Sequence, residues 1–187
     1  MKDFLLKINT VTKKIIVINC LIYILALIFP ILVKIFMYYS PNSDEFTIYG
    51  LVTSQYIHGS LFHLFGNMLG LYFIGDMIEK RLGKSRFFLF YTITGIIGCL
   101  ISSLFVDNPG IGASGCVFGL VGSLLYFYPN EKFLLYFIIP VKVYWVVPLL
   151  FTYELMSALI GGDNVGHYVH LFSGLSGFAL SYLSYRK

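Results

Sequence analysis

Long apolar runs separated by short polar segments make up most of the chain and predict a bundle of membrane-spanning helices. Six runs can be drawn, at about 15–39, 61–78, 87–105, 114–128, 143–159 and 167–185. A helix of about 20 residues crosses the roughly 30 Å hydrocarbon core of a bilayer. The pattern therefore predicts an all-α membrane protein: a cytoplasmic tail of residues 1–14, followed by a six-helix transmembrane bundle of residues 15–187.

Prolines and turn residues mark where these helices break or begin. Pro30 interrupts the first run, since a proline inside a helix removes a backbone hydrogen bond. Pro140 and Lys142 indicate an interfacial segment that leads into a fifth helix from about Val143. The turn sequence Asp107-Asn108-Pro109-Gly110 separates the third and fourth runs.

Composition agrees with a membrane protein and limits the chemistry. With 58% hydrophobic and 12% charged residues, the chain lies outside the range of soluble domains. Cys20, Cys99 and Cys116 all fall within apolar runs, so we expect them to pack as small core residues rather than form disulfides or bind a metal. No cofactor is expected.

Charged residues predict the orientation in the membrane. Of the 13 Lys and Arg residues, all but Lys34 fall on one side of the six-span arrangement. Loops on the other side carry no Lys or Arg, but contain acidic residues such as Asp44 and Asp107. Cytoplasmic loops are enriched in Lys and Arg, so both termini are expected in the cytoplasm. The net charge of +4 then reflects topology, and no nucleic-acid partner is expected.

Ser114 lies where a glycine-rich loop, Gly112-Ala113-Ser114-Gly115, becomes the fourth helix. The 15 residues from Ser114 to Tyr128 span about 22 Å, which leaves Ser114 recessed by about 8 Å in the hydrocarbon core. Unpaired N–H groups at a helix start can hold an oxyanion, which makes Ser114 a candidate nucleophile. The alternative is a serine that only caps the helix.

Four histidines and one asparagine lie toward the same membrane face as Ser114. His63 and Asn67 are four residues apart, so they share a helix face and can both donate hydrogen bonds to one point. His167 and His170 lie on the sixth run, and His58 precedes the second. Polar side chains inside a membrane are costly and are functional candidates by default. A histidine that activates a serine from a neighbouring helix suits nucleophilic catalysis.

Small residues at four-residue spacing predict that the fourth and sixth helices pack closely. On the fourth run they are Gly115, Gly119 and Ser123, and on the sixth run they are Ser173, Gly177 and Ser181. Such packing would bring Ser114 near a histidine of the sixth run.

Together, these motifs resemble the rhomboid family of intramembrane serine proteases over about residues 45–185. The motifs are His58-Gly59-Ser60-Leu61-Phe62-His63 with Asn67, Glu79-Lys80-Arg81-Leu82-Gly83, and Gly112-Ala113-Ser114-Gly115 with Phe118. The resemblance implies a rhomboid-like fold and a Ser–His dyad without an acidic third member. The implied partners are the bilayer of a bacterial plasma membrane and the transmembrane segments that the protein would cleave.

The resemblance also implies roles for single residues. Ser114 corresponds to the nucleophile, His63 and Asn67 to donors on the oxyanion side, and His58 to a loop histidine that supports the site. Gly112 belongs to the serine motif, and Phe118 matches an aromatic position that packs on the catalytic histidine. Glu79 and Arg81 match a cytoplasmic structural motif. The first loop has Tyr49-Gly50 where the family often has Trp-Arg.

Two histidines remain candidates for the base. The lead-in Asp163-Asn164-Val165-Gly166 favours His167, but this register would place His170 where the family has a helix-packing glycine. With His170 as the base, the residues three and seven positions later are small, Ser173 and Gly177. Close packing therefore favours His170, with His167 as the alternative.

Two functions without proteolysis are also compatible with the sequence. One is a rhomboid-like protein that binds transmembrane clients and has lost catalysis. The other is a small transporter with intramembrane polar residues along its pathway, although the chain has no evident internal repeat. Separately, Glu154 lies inside the fifth run, where it could pair with a polar neighbour or a backbone group, or relay protons.

Overall fold

Within the described residues, the fold consists of six long helices, two short helices, one 3₁₀ turn and one β-hairpin. The computed structural model describes residues 9–135, 139–162 and 165–186. In chain order the elements are α1 (Val11–Ile28), α2 (Ile31–Phe36), α3 (Gly50–Thr53), the 3₁₀ turn Ser54–Tyr56, α4 (Leu61–Leu82), α5 (Lys84–Ser102), α6 (Ser114–Phe127), β1 (Lys132–Leu135), β2 (Ile139–Lys142), α7 (Val143–Ile160) and α8 (His167–Tyr185).

The six predicted helices are all present, and the helical membrane bundle is confirmed. Within the described residues, four helices, α1, α4, α5 and α7, are each long and apolar enough to cross a membrane. The fourth helix, α6, is also apolar but has only 14 residues. It starts at Ser114 and α7 starts at Val143, as the sequence predicts.

Several helix ends differ from the sequence-based expectation: α1 ends at Ile28 instead of near residue 39, α4 extends to Leu82, and α5 runs from Lys84 to Ser102. Helix α1 starts at Val11, four residues before the predicted span. Thr10 is its N-cap and accepts a hydrogen bond from the N–H of Lys13, and the Glu79 carboxylate of α4 also binds this end. That carboxylate accepts hydrogen bonds from the backbone N–H groups of Val11 and Thr12 at 2.9 and 2.8 Å. The segment between α6 and α7 is an antiparallel hairpin in which Lys132 pairs with Lys142, and it was not predicted.

The predicted close packing of α6 and α8 is confirmed. A Cβ atom added to Gly177 would collide with the backbone carbonyl of Gly119, and one added to Gly122 would collide with the carbonyl of Gly174. Nearer the loop end, a Cβ on Gly115 would lie 3.0 Å from Cγ1 of Val169. The two backbones therefore touch at their glycines, and α6 and α8 run parallel to each other.

Candidate active site

Ser114 is the first residue of α6, and its side chain does not cap the helix. The N-cap residue is Ala113, in a helical conformation with φ −74° and ψ −3°, and no side-chain hydrogen bond caps this end. The capping alternative is therefore wrong. A serine at the first helical position has a backbone N–H without an acceptor in its own helix, so both its hydroxyl and its N–H are available for chemistry.

Gly112 holds the loop before Ser114 in a conformation that other residues rarely adopt. Its φ is +117°, and an added Cβ would lie 2.5 Å from Nε2 of His63 and 3.7 Å from Nδ2 of Asn67. Its N–H donates to the carbonyl of Ser54 at 2.9 Å, which ties the loop to the 3₁₀ turn. Glycine is required here for both backbone and space. The two predicted donors of α4 therefore face the chain two residues before Ser114.

His58 supports this loop from the other side. Its ring is 2% exposed, and Nε2 accepts a hydrogen bond from the N–H of Ala113 at 3.3 Å. The ring also packs edge-on against His63, with 5.0 Å between centroids. Burial, with a smaller contribution from the charge of His63, lowers the pKa of His58 to about 4. A neutral His58 can keep its acceptor nitrogen on Ala113 near neutral pH.

The two histidines of α8 lie at different depths and face different neighbours. Gly115 of α6 packs against both Val169 and Ser173, so the level of Ser114 on α8 is close to residue 170. His170 stacks flat on Phe118 of α6, with 4.3 Å between centroids and 2° between planes. His167 is the first residue of α8, about one turn before His170 and roughly 4.5 Å from it along the helix axis. It packs against Tyr153 of α7.

Phe118 is one turn below Ser114, so the stacked His170 ring lies on the Ser114 face of α6. Within the described residues, no hydrogen bond joins Ser114 to a histidine. Catalytic hydrogen bonds are often long before substrate binds, so this geometry does not exclude a Ser–His pair.

Glu154 of α7 is a site residue whose partner sequence reasoning missed. Its Oε2 lies 2.6 Å from Nδ1 of His167 and 3.1 Å from Nδ1 of His170. All three side chains are buried, at 4%, 6% and 8% exposure. The available sequence signal was an acid within an apolar span, but nothing in the sequence gives the helix rotation that points it at α8.

The Glu154, His167 and His170 cluster also has the donor set of a zinc site. Their ligand atoms lie within 4.8 Å of one another, and two imidazoles with a carboxylate suit Zn²⁺. The hydrogen bonds from both Nδ1 atoms to one carboxylate oxygen already account for the cluster, however. We therefore describe it as a hydrogen-bonded carboxylate with two imidazoles.

The fold and this site define a helical membrane protein with a serine, histidines and hydrogen-bond donors at one end of its bundle. Residues 45–187 match the model of the Rhomboid domain. The chain belongs to the rhomboid family.

Individual relatives agree with this assignment. The chain is 36% identical to RHOMBOID-like protein 4 of Arabidopsis thaliana, over 71% of this chain and 32% of that protein. It is 32% identical to Rhomboid protease GluP of Bacillus subtilis, over 66% of this chain and 24% of the protease. It is 38% identical to Inactive RHOMBOID-like protein 8 of Arabidopsis thaliana, over 44% of this chain and 24% of that protein. The chain thus spans about a quarter to a third of the length of these relatives.

Proposed function

We propose that this protein is an intramembrane serine endopeptidase that cleaves transmembrane segments of other membrane proteins. Ser114 is the nucleophile and His170 is the base. The observation that carries the proposal is the stacking of His170 on Phe118, one turn below Ser114, while His63 and Asn67 face Gly112 two residues before the serine. Membership of a family that includes a rhomboid protease supports it.

The proposed reaction is acyl transfer to serine followed by hydrolysis. Nε2 of His170 takes the proton of the Ser114 hydroxyl while Oγ attacks the scissile carbonyl carbon. The imidazolium then gives that proton to the leaving amine as the C–N bond breaks, which leaves an ester on Ser114. Water, deprotonated by the same nitrogen, hydrolyses the ester and restores the serine.

The negative oxygen of the tetrahedral intermediate would be held by donors around Gly112. His63 and Asn67 approach this glycine from α4, and the Ser114 N–H points out of the start of α6. Preorganised donors of this kind stabilise charge that develops only in the transition state. The strained glycine is thus proposed to leave space for the substrate oxygen between Ser114 and α4.

We propose as substrates transmembrane helices with small or helix-breaking residues near their outer ends. A peptide bond in an intact helix has its carbonyl hydrogen-bonded, so cleavage requires local unwinding, which glycine and similar residues make less costly. We further propose that the protein lies in a bacterial plasma membrane with both termini in the cytoplasm. The short α6 would then recess Ser114 from the outer face.

A rhomboid-like protein that binds clients without cleaving them is the second candidate. Two observations favour it. Within the described residues, no hydrogen bond joins Ser114 to a histidine, and one relative of 38% identity is named as inactive. This candidate predicts a serine that does not react with covalent serine-hydrolase reagents.

Labelling with a fluorophosphonate probe, together with cleavage of a reporter transmembrane segment, distinguishes the two candidates. We expect wild type to label and cleave, and Ser114→Ala to do neither while remaining folded, because the Ser114 side chain makes no capping bond. His170→Ala should abolish cleavage, whereas His167→Ala should leave a measurable fraction. An unlabelled, inactive wild-type protein would favour the client-binding candidate, and full activity of Ser114→Ala would exclude a serine protease.

A further inference from the structure

The buried carboxylate of Glu154 is shared by both histidines of α8. A single oxygen, Oε2, is in contact with Nδ1 of His167 at 2.6 Å and with Nδ1 of His170 at 3.1 Å. Glu154 is 4% exposed and lies on α7, a helix that contributes no other residue to the proposed reaction. A buried charge is tolerated only where hydrogen-bond donors surround it, and these two imidazoles supply two donors.

An ionised carboxylate accepts hydrogen bonds and cannot donate them. With Glu154 ionised, each imidazole in contact with it donates its hydrogen bond from a proton on Nδ1. In a neutral imidazole the other nitrogen, Nε2, then holds the lone pair. For His170 this is the tautomer that can take a proton from a serine, and the flat contact with Phe118 fixes the plane of the ring.

We infer that Glu154 is a positioning residue for the His170 base, so that the site works as a Ser–His–Glu arrangement spread over α6, α8 and α7. The carboxylate selects the tautomer of His170 before the reaction and stabilises the imidazolium that forms during it. His167 gives the second hydrogen bond and holds the carboxylate in place. This inference rests on the proposed protease activity and adds an acidic member to the Ser–His dyad.

Replacement of Glu154 by glutamine tests the inference with little change in size. The amide can donate its N–H to Nδ1 of His170, which would move the imidazole proton to Nε2 and leave no base for Ser114. An acidic partner exchanged for an amide in a serine protease triad lowers turnover by about 10⁴-fold. For Glu154→Gln we expect kcat to fall by about 100- to 10,000-fold. We expect KM to change less than about threefold, since the Glu154 side chain is buried against His167 and His170.

Glu131→Gln is the matched control, because Glu131 is exposed in the turn before β1, at the opposite end of α6. It should leave both kcat and KM unchanged. An active wild-type protein whose Glu154→Gln variant keeps its kcat would overturn the inference and leave the proposed function intact. Wild-type protein that neither cleaves nor labels would instead remove the proposed function, and this inference with it.

Nitrogen NMR of protein labelled at histidine provides a readout that a purely structural role for Glu154 would not move. The His170 signals are assigned by their loss in His170→Gln. In wild type we expect the proton of neutral His170 on Nδ1, and in Glu154→Gln on Nε2. A wild-type His170 protonated on Nε2 would overturn the inference, and this spectrum decides the matter even if the glutamine variant does not fold.

Discussion

Exchange of Gly177 for alanine tests whether the contact between α6 and α8 sets the geometry of the site. The added methyl carbon would lie 2.7 Å from the carbonyl carbon of Gly119 and 3.0 Å from its Cα. The carbonyl oxygen of Gly119 lies closer still, and ordinary contact begins near 3.4 Å, so the two backbones have to separate by about 1 Å or more. Overpacking of this kind costs about 1–3 kcal/mol.

The same displacement should affect catalysis more than stability. Ser114 and Phe118 lie on α6 while His170 lies on α8, so separation of the helices moves the proposed base away from the nucleophile. A misplacement of about 1 Å can lower a rate about 100-fold. We therefore expect Gly177→Ala to reduce the rate of fluorophosphonate labelling by about that factor, with a free energy of unfolding lowered by about 1–3 kcal/mol.

Gly66→Ala is the matched control on α4, because an added Cβ there meets nothing within 4 Å. Alanine is the better helix former by about 1 kcal/mol, so this variant should be as stable as wild type or more so. Both variants are compared by labelling rate and by denaturant unfolding in the same detergent. A Gly177→Ala protein with wild-type stability and labelling would refute the claim that the glycine contact fixes the site.

Three further predictions concern orientation, the donors and acid stability. Cysteine tags at Lys84 and Lys132 should react only from the cytoplasm and one at Asp44 only from outside; reversed labelling would overturn the orientation. Asn67→Ala should lower turnover about 10- to 1000-fold with little change in KM, whereas a rise in KM alone would reassign it to substrate docking. Burial lowers the pKa of His58 to about 4. As the pH falls, the unfolded state therefore takes up a proton at His58 at a higher pH than the folded state does. The free energy of unfolding should then fall by about 3 kcal/mol as pH drops from about 6.5 to 4, a slope that His58→Gln should lack.

Helix positions were predictable because apolar runs and their breaks are local features of the sequence. The start of α7 at Val143 and the span of α8 from His167 to Tyr185 follow from such features. The start of α1 at Val11 has a local signal in its N-cap, Thr10, but the second acceptor at this end, the Glu79 carboxylate, lies 68 positions from Val11 and has none. The hairpin between Lys132 and Lys142 was not predicted, because its residues form a continuous apolar run and lack the alternation of apolar and polar residues that indicates a strand.

Within the site, the sequence predicted which residues meet but not how α7 is rotated. The spacing of His63 and Asn67 puts them on one helix face, the family resemblance implied that they face the serine loop, and in the structure they approach Gly112. Glu154 could be identified only as an acid within an apolar helix. Its partners lie 13 and 16 positions away across a turn, and the direction of its side chain depends on packing that no local pattern encodes.

The choice between His167 and His170 shows how depth in the bundle can decide what a motif leaves open. Both are buried histidines that contact the same carboxylate, so neither burial nor the contact with Glu154 separates them. The difference is one helical turn, roughly 4.5 Å along the axis. Gly115 shows how α6 and α8 are aligned. It packs between Val169 and Ser173, which puts the adjoining Ser114 level with His170. A register with His167 as the base would need α8 to slide by a full turn. The larger His170 would then replace Ser173 opposite Gly115, where there is no room for an imidazole.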